Sequence, residues 1–320
     1  MTAISGFPID VVVPWVDGGD PVLAAKRAQY AGDGMLRNNE IGGPDRYTSF
    51  GEIHWAVASM LRYAPWLRKI FIVTDGQDPD LGGMLRERFP DRVDDVVIVD
   101  HSVIFRGREE FLPTFNSRAI DTLIWNIPDL SEHFIYTNDD VMLIRPVSPE
   151  DFFPDGKVVC YAHRYPSALV RLWRRMRPEH VGFKQSMLRA QELTGGGGHI
   201  LYFGHTPRPV LKSWFERWAQ ERPDMVELNL KYKFRNIDQF QGQEAFCLDM
   251  ERRGRAVVIS DLKAGLVLKR HKPSDAYVDK KLALFSADTT RKFVGFNSLN
   301  GCSPEAQKRV ADWLDARVFG

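Results

Sequence analysis

The acidic run Asn138-Asp139-Asp140 follows Phe134-Ile135-Tyr136-Thr137 directly. An apolar strand that delivers two adjacent carboxylates to a sheet edge concentrates negative charge there. Carboxylates this close repel, and one protonates unless a cation or an arginine compensates. Hard oxygen ligands suit Mg²⁺ or Mn²⁺, which usually also grip substrate phosphates. Asp139 and Asp140 are therefore candidate metal ligands, although an Asn-Asp turn after a strand uses the same residues. A second acidic corner is Trp15-Val16-Asp17-Gly18-Gly19-Asp20-Pro21. Its glycines admit close approach of a ligand to the backbone, and a plain β-turn would read alike. The third group, Leu112-Pro113-Thr114-Phe115-Asn116-Ser117-Arg118, gathers polar donors and a cation at a helix start. Free N–H groups there favour an anion, and Asn116 also suits an N-cap. The fourth is His205-Thr206-Pro207, ahead of the cationic stretch from Lys231 to Asp238. Histidine is the usual general base near neutral pH. No HExxH or HxxxH pair and no Gly-x-Ser-x-Gly elbow is present, so hydrolase chemistry lacks its nucleophile motif.

These residues need elements to position them. Ile9–Val16, Lys69–Asp75, Val96–Asp100 and His133–Thr137 read as strands apolar on both faces, as in a covered parallel sheet. Between the first two, Ser49 and Glu52 form a capping-box pattern ahead of Ile53, Val57, Met60, Leu61 and Ala64 at helical spacing. A second helix starts near Asn116 and turns Ile120, Leu123, Ile124 and Ile127 inward. The β-α-β alternation predicts a doubly wound α/β unit, whose ligands bind at the carboxyl ends of the strands. Asp17, Asp75, Asp100 and Asn138-Asp139-Asp140 fall at those ends. Past residue 160 the pattern loosens. Gly195–Gly198 reads as a loop, and residues 207–222 and 304–318 read as amphipathic helices.

The 320 residues carry 43 basic and 42 acidic side chains, so no global field exists to hold nucleic acid. No apolar run approaches the ~18 residues of a membrane span, and the start of the chain lacks a signal-peptide pattern. The three dispersed cysteines Cys160, Cys247 and Cys302 have no zinc spacing and fit a reducing compartment. A cytoplasmic location, extending to the inner face of the cell membrane, is the expectation.

Together the segments resemble the Stealth family of sugar-phosphate transferases. Ile9-Asp10-Val11-Val12 with Trp15-Val16-Asp17-Gly18 and Asp20-Pro21 looks like its first conserved region. The second is similar to Arg46, Glu52, Tyr63–Trp66, Lys69–Gln77, His101-Ser102, Leu112–Ser117, Ser131–Tyr136 and Asn138–Asp140. The third matches at His205-Thr206-Pro207 and at Phe234-Arg235 with Asp238. The fourth matches weakly at Phe296-Asn297, where Ser298 replaces an Asp; Arg118 stands where many members have His. The resemblance implies a Rossmann-like, glycosyltransferase-A-like, mostly parallel sheet with helices on both faces and an additional helical C-terminal part. Residues 1–160 would form the nucleotide-sugar-binding half and 161–320 the acceptor-side half of one catalytic domain.

The implied activity is transfer of a sugar 1-phosphate from a UDP-sugar to a saccharide hydroxyl, with release of UMP, in capsular or cell-surface polysaccharide synthesis. Mg²⁺ or Mn²⁺ on Asp139 and Asp140 would neutralise the diphosphate. Arg46, Arg118 or Arg235 would stabilise its oxygens, and His205, or else Asp17, would take the acceptor proton. Trp15, Gly18, Asp20, Arg46, Asn116, Asn138, Asp238 and Asn297 are the expected substrate-binding residues. Arg171, Trp173, Arg174, Arg175 and Arg177 form a basic patch suited to an anionic phosphopolysaccharide acceptor, or to a solvated helix face. Two rivals stay open. One is an ordinary metal-dependent glycosyltransferase that releases UDP. The other is a saccharide-binding protein without turnover.

Overall fold

The computed structural model describes residues 6–32, 47, 50–176, 182–259, 274–296 and 299–320. Arg46, Ser49, Arg177, Asn297 and Ser298 lie outside the described residues. The first half runs β1 (Ile9–Pro14), α1 (Pro21–Tyr30), α2 (Glu52–Tyr63), β2 (Ile70–Thr74), α3 (Gly82–Arg88), β3 (Val96–Asp100), α4 (His101–Ile104), α5 (Ser117–Leu123), β4 (His133–Tyr136) and β5 (Val141–Leu143). It continues with β6 (Val158–Pro166), α6 (Ser167–Met176), α7 (Phe183–Leu193), β7 (His199–Phe203), β8 (Arg208–Leu211), α8 (Lys212–Glu221), α9 (Pro223–Leu230) and α10 (Gly242–Arg252). The last elements are β9 (Ala256–Ile259), α11 (Asp275–Ala287), β10 (Phe293–Gly295) and α12 (Pro304–Val318).

The main sheet has the order β3-β2-β1-β4-β8. Four strands are parallel, and β8 joins antiparallel to β4. The four parallel strands are the four apolar runs read from the sequence. Every residue of β2 is buried, and each such aliphatic or aromatic side chain contributes roughly 1.5–3 kcal/mol by leaving water. In β3 the expectation of two covered faces fails. This strand is the sheet edge, and Ile98 is 45% exposed.

Helix α2 buries Ile53, Val57, Met60 and Leu61 as its spacing requires. Its cap differs from the expected Ser-x-x-Glu box. Gly51, with φ of 86°, is the N-cap, and Glu52 accepts a hydrogen bond from the Phe50 backbone N–H at 2.5 Å. The expected helix over 207–222 is instead β8 followed by α8. Pro209 sits within β8, which the edge position permits. Helix α12 spans 304–318 as anticipated, with Ser303 as its cap.

Among the described residues two large cores, and a small cluster of Leu23, Tyr47, Phe115 and Phe234, hold the chain together. The larger core draws residues from both halves, among them Val12, Ile72, Phe134, Phe203, Phe215 and Phe246. The second core joins β5 and β10 to α11 and α12 through Met142, Val294, Phe296, Val310 and Leu314. Among the described residues no helix is long and apolar enough to cross a membrane.

Candidate active site

Strand register explains why His205 meets the acidic run. Tyr136 pairs with Arg208 across the antiparallel β4–β8 ladder. Just beyond that pair the segments that leave β4 and enter β8 bring His205 to the acidic run. There, His205 Nδ1 lies 2.9 Å from an Asp140 carboxylate oxygen, with the two side chains 25% and 15% exposed. Burial works to lower the His205 pKa; the Asp140 charge and hydrogen bond outweigh it, against the repulsion of Arg208, and the net direction is up. Asp140 thus orients the ring and raises its basicity.

Asp139 is the crowded member of the run. Burial, then Asp140, then Glu52 push its carboxyl well above the usual range. This is the frustration that a cation relieves. Among the described residues no group of three His, Cys, Asp or Glu side chains is arranged to hold a metal. Two carboxylates completed by substrate phosphates remain an adequate donor set for Mg²⁺.

A strand from the far end of the chain locks this corner. β10 pairs with β5, opposing Gly295 to Val141. The Phe296 N–H donates to the Asp140 carbonyl at 2.8 Å. A Cβ on Gly295 would stand 2.6 Å from the His205 Cβ. Gly295→Ala is therefore expected to displace the imidazole and to lower kcat by roughly 10-fold or more, with the fold retained. A thermal melt beside a turnover assay checks this, and an unchanged kcat would remove Gly295 from the site.

Two arginines gather at the start of α5. Asn116 caps α5, and its amide donates to the carbonyls of Tyr232 and Phe234 and to Gln239 Oε1. This knits residues 232–239 to the start of α5. Arg235 donates to Ser117 Oγ at 2.8 Å, and Arg118 Nη1 to the Asn236 carbonyl at 2.8 Å. Arg118 Nε and Nη2 are buried without a hydrogen-bond partner. Burial and the neighbouring Arg235 push the Arg118 pKa down to about 9. Helix α5 has only seven residues, so its dipole is a minor attraction for an anion beside these guanidinium groups. Beneath them Arg208 lies 3.5 Å from the buried Glu244, and burial raises the pKa of Asp121, which accepts from Tyr136, to about 7.

The Asp17 corner leaves β1 beside the end of β4, because β1 and β4 are parallel neighbours. Asp17 Oδ1 accepts from the Gly19 N–H at 2.8 Å, and Asp20 caps α1 by accepting from the Val22 N–H. Gln77 ties the corner down. Its amide donates to the Asp17 carbonyl and to Asp20, and its Oε1 accepts from the Asp17 N–H. Gly18 is needed because Tyr47 crosses it; a Cβ would meet the Tyr47 backbone oxygen at 2.3 Å. Trp15 is a core residue at 8% exposure. Asn138 is half-buried beside the carboxylates, whereas Asp238 is exposed and bonded to Tyr232 at 2.8 Å. Sequence reasoning did not single out Gly295, Arg208, Glu244 or Gln77 as site residues. Their roles come from tertiary register.

His101, at the end of β3, is buried near Asp75 and Asp100, and its Nδ1 has no hydrogen-bond partner. Burial carries its pKa from 6.5 down to about 4, against the attraction of both carboxylates and with Lys26 adding to the fall. A depressed folded-state histidine pKa contributes stability that is complete above pH 6.5 and lost as pH falls through 4. The span is on the order of 3 kcal/mol. Melting His101→Gln and the parent at neutral and acidic pH should show a smaller acid loss in the variant. Equal losses would contradict it.

Residues 7–35 match Stealth protein conserved region 1, and residues 46–160 match Stealth protein conserved region 2. By these two regions the chain belongs to the Stealth family. The matches take in the Asp17 corner, α2, the start of α5 and the Asp139-Asp140 run. An exopolysaccharide phosphotransferase of Streptomyces coelicolor is 44% identical over 147 residues, 46% of this chain and 23% of that protein. The receptor polysaccharide phosphotransferase WefC of Streptococcus oralis is 38% identical over 153 residues, 48% of this chain and 43% of that protein. An exopolysaccharide phosphotransferase of Nocardia farcinica is 34% identical over 224 residues, 68% of this chain and 41% of that protein. The Stealth chain thus spans less than half the length of these curated relatives. Among solved structures, galactosyltransferase LgtC in complex with donor and acceptor sugar analogs is 12% identical with a TM-score of 0.43, covering 96% of each chain. Mouse xyloside xylosyltransferase 1 is 14% identical with a TM-score of 0.42, covering 91% of this chain and 97% of that one. Both likenesses are of general shape.

Proposed function

We propose that this Stealth chain transfers a sugar 1-phosphate from a UDP-sugar to a saccharide hydroxyl, forming a phosphodiester and releasing UMP, in the synthesis of a surface polysaccharide. The observation that carries the reading is the His205–Asp140 pair beside the crowded Asp139 at the carboxyl end of β4. The names of the relatives, all polysaccharide phosphotransferases, point the same way.

In this reading Asp139 and Asp140 would hold Mg²⁺ or Mn²⁺, which supplies positive charge to the donor diphosphate. Asp140 keeps the Nδ1 proton of His205 in place, so the basic lone pair lies on Nε2 and accepts the acceptor hydroxyl proton. The hydroxyl oxygen then attacks the phosphorus that carries the sugar. The bond from that phosphorus to the bridging oxygen of the diphosphate breaks, and UMP leaves. Arg118 and Arg235 favour the charge that builds on the phosphoryl oxygens. The sugar C1–O bond stays intact, so the anomeric configuration is retained.

The test places ³²P in the sugar-bearing phosphate of the donor. Transfer of sugar 1-phosphate carries the label into the acceptor product. Label left wholly with the nucleotide, with sugar transferred, would make the protein an ordinary glycosyltransferase.

A further inference from the structure

Helix α6 faces the wrong way for an ordinary surface helix. Only Ser167 and Val170 are buried, so this is the side that packs on the protein. Leu169, Leu172 and Met176 are 51%, 55% and 68% exposed. At about 100° per residue these three share one stripe, roughly opposite Ser167 and Val170. A soluble helix normally turns such a stripe inward. Arg171 and Arg174 lie on the packed side and Arg175 on a flank. Arg171 is tied back to α7 through Gln191 at 3.0 Å. The surrounding sequence, residues 156–178, contains Lys157, Arg164, Arg171, Arg174, Arg175 and Arg177 and no acidic residue.

We propose that α6 is a membrane-contact helix that lays Leu169, Leu172 and Met176 into the surface of a bilayer rich in anionic lipid. Charge complementarity selects this occupant. A bilayer of that kind offers apolar depth to the leucines and the methionine, and phosphates at the level that Arg175 on the flank can reach. A second copy of the chain packed on the same stripe would cover the apolar side chains and leave the cationic segment without an opposite charge. A phosphopolysaccharide would meet the arginines and leave the apolar stripe in water. Attachment through α6 would hold the protein where a surface polymer is built, but the inference rests on the helix itself and not on the reaction.

The experiment is co-sedimentation of the full chain with vesicles of phosphatidylcholine alone, or of phosphatidylcholine and phosphatidylglycerol in equal parts. The parent is expected to pellet with the anionic vesicles, less as salt rises. Leu172→Asp with Met176→Asp should weaken partitioning on the order of 10-fold or more. Arg174→Glu with Arg175→Glu should weaken it as well. Leu172, Arg175 and Met176 are exposed and Arg174 is half-buried on the packed side, so matching melting curves establish that the variants fold. Parent protein left in the supernatant with anionic vesicles overturns the proposal, as does undiminished binding by the Leu172/Met176 variant. Sedimentation velocity and retention on dextran sulfate complete the set. A parent dimer that Leu172→Asp with Met176→Asp dissociates, without vesicle binding, assigns the stripe to a second copy. Polyanion retention that depends on the arginines alone, again without vesicle binding, returns the patch to acceptor recognition.

Discussion

Asp139→Asn and Asp140→Asn will each lower turnover on the order of 10³-fold while the protein stays folded. Asn keeps the size of the side chain and removes the charge. Asp139 is crowded by Asp140 and Glu52, so its loss relieves repulsion in the apo protein rather than opening a cavity. The same crowding is what a divalent cation would offset. Adding Mn²⁺ to the parent together with the UDP-sugar donor should therefore raise its melting temperature by a few degrees beyond the donor alone, following the usual linkage of ligand binding to stability (about 2.7 kcal/mol at a hundred times Kd). Both variants should lose most of that rise. Chelation should stop turnover reversibly. Full activity in excess chelator, or a parent whose melting with the donor present is indifferent to Mn²⁺ and Mg²⁺, would sink the metal assignment.

His205→Ala should lower kcat by roughly 10²-fold or more, with the donor KM nearly unchanged. The imidazole is held by Asp140 at 2.9 Å and backed by Gly295, so its position is built by three separate segments of the chain. A group placed with that care is used in the reaction step more than in binding. Should only the donor KM rise, His205 is a binding residue, and Asp17 becomes the next candidate base. Asp17 is the weaker candidate because its carboxylate already shapes its own turn by accepting from Gly19.

The parallel strands could be read from the sequence because a buried parallel strand is apolar along most of its length, and β1, β2 and β4 are, apart from Asp10, Thr74 and His133. β8 could not. It has four residues, includes Pro209 and begins with Arg208, whose charge is explained only by Glu244 on a helix 36 positions later. Helix α10 escaped for a related reason. It buries Gln243 and Glu244 among its apolar residues, which blurs its periodicity. The carboxylates and His205 were legible as residue types. Their meeting was not, because it depends on the β4–β8 register. Gly295 had no signal in the sequence, since its importance is the absence of a side chain beside His205.

The central claim is that phosphorus travels with the sugar. The most direct measurement is the nucleotide released when the protein is incubated with a panel of UDP-sugars, Mg²⁺ and short saccharide acceptors, resolved by chromatography. The account predicts UMP in a one-to-one ratio with product, and none from Asp139→Asn. UDP released in step with product would contradict it.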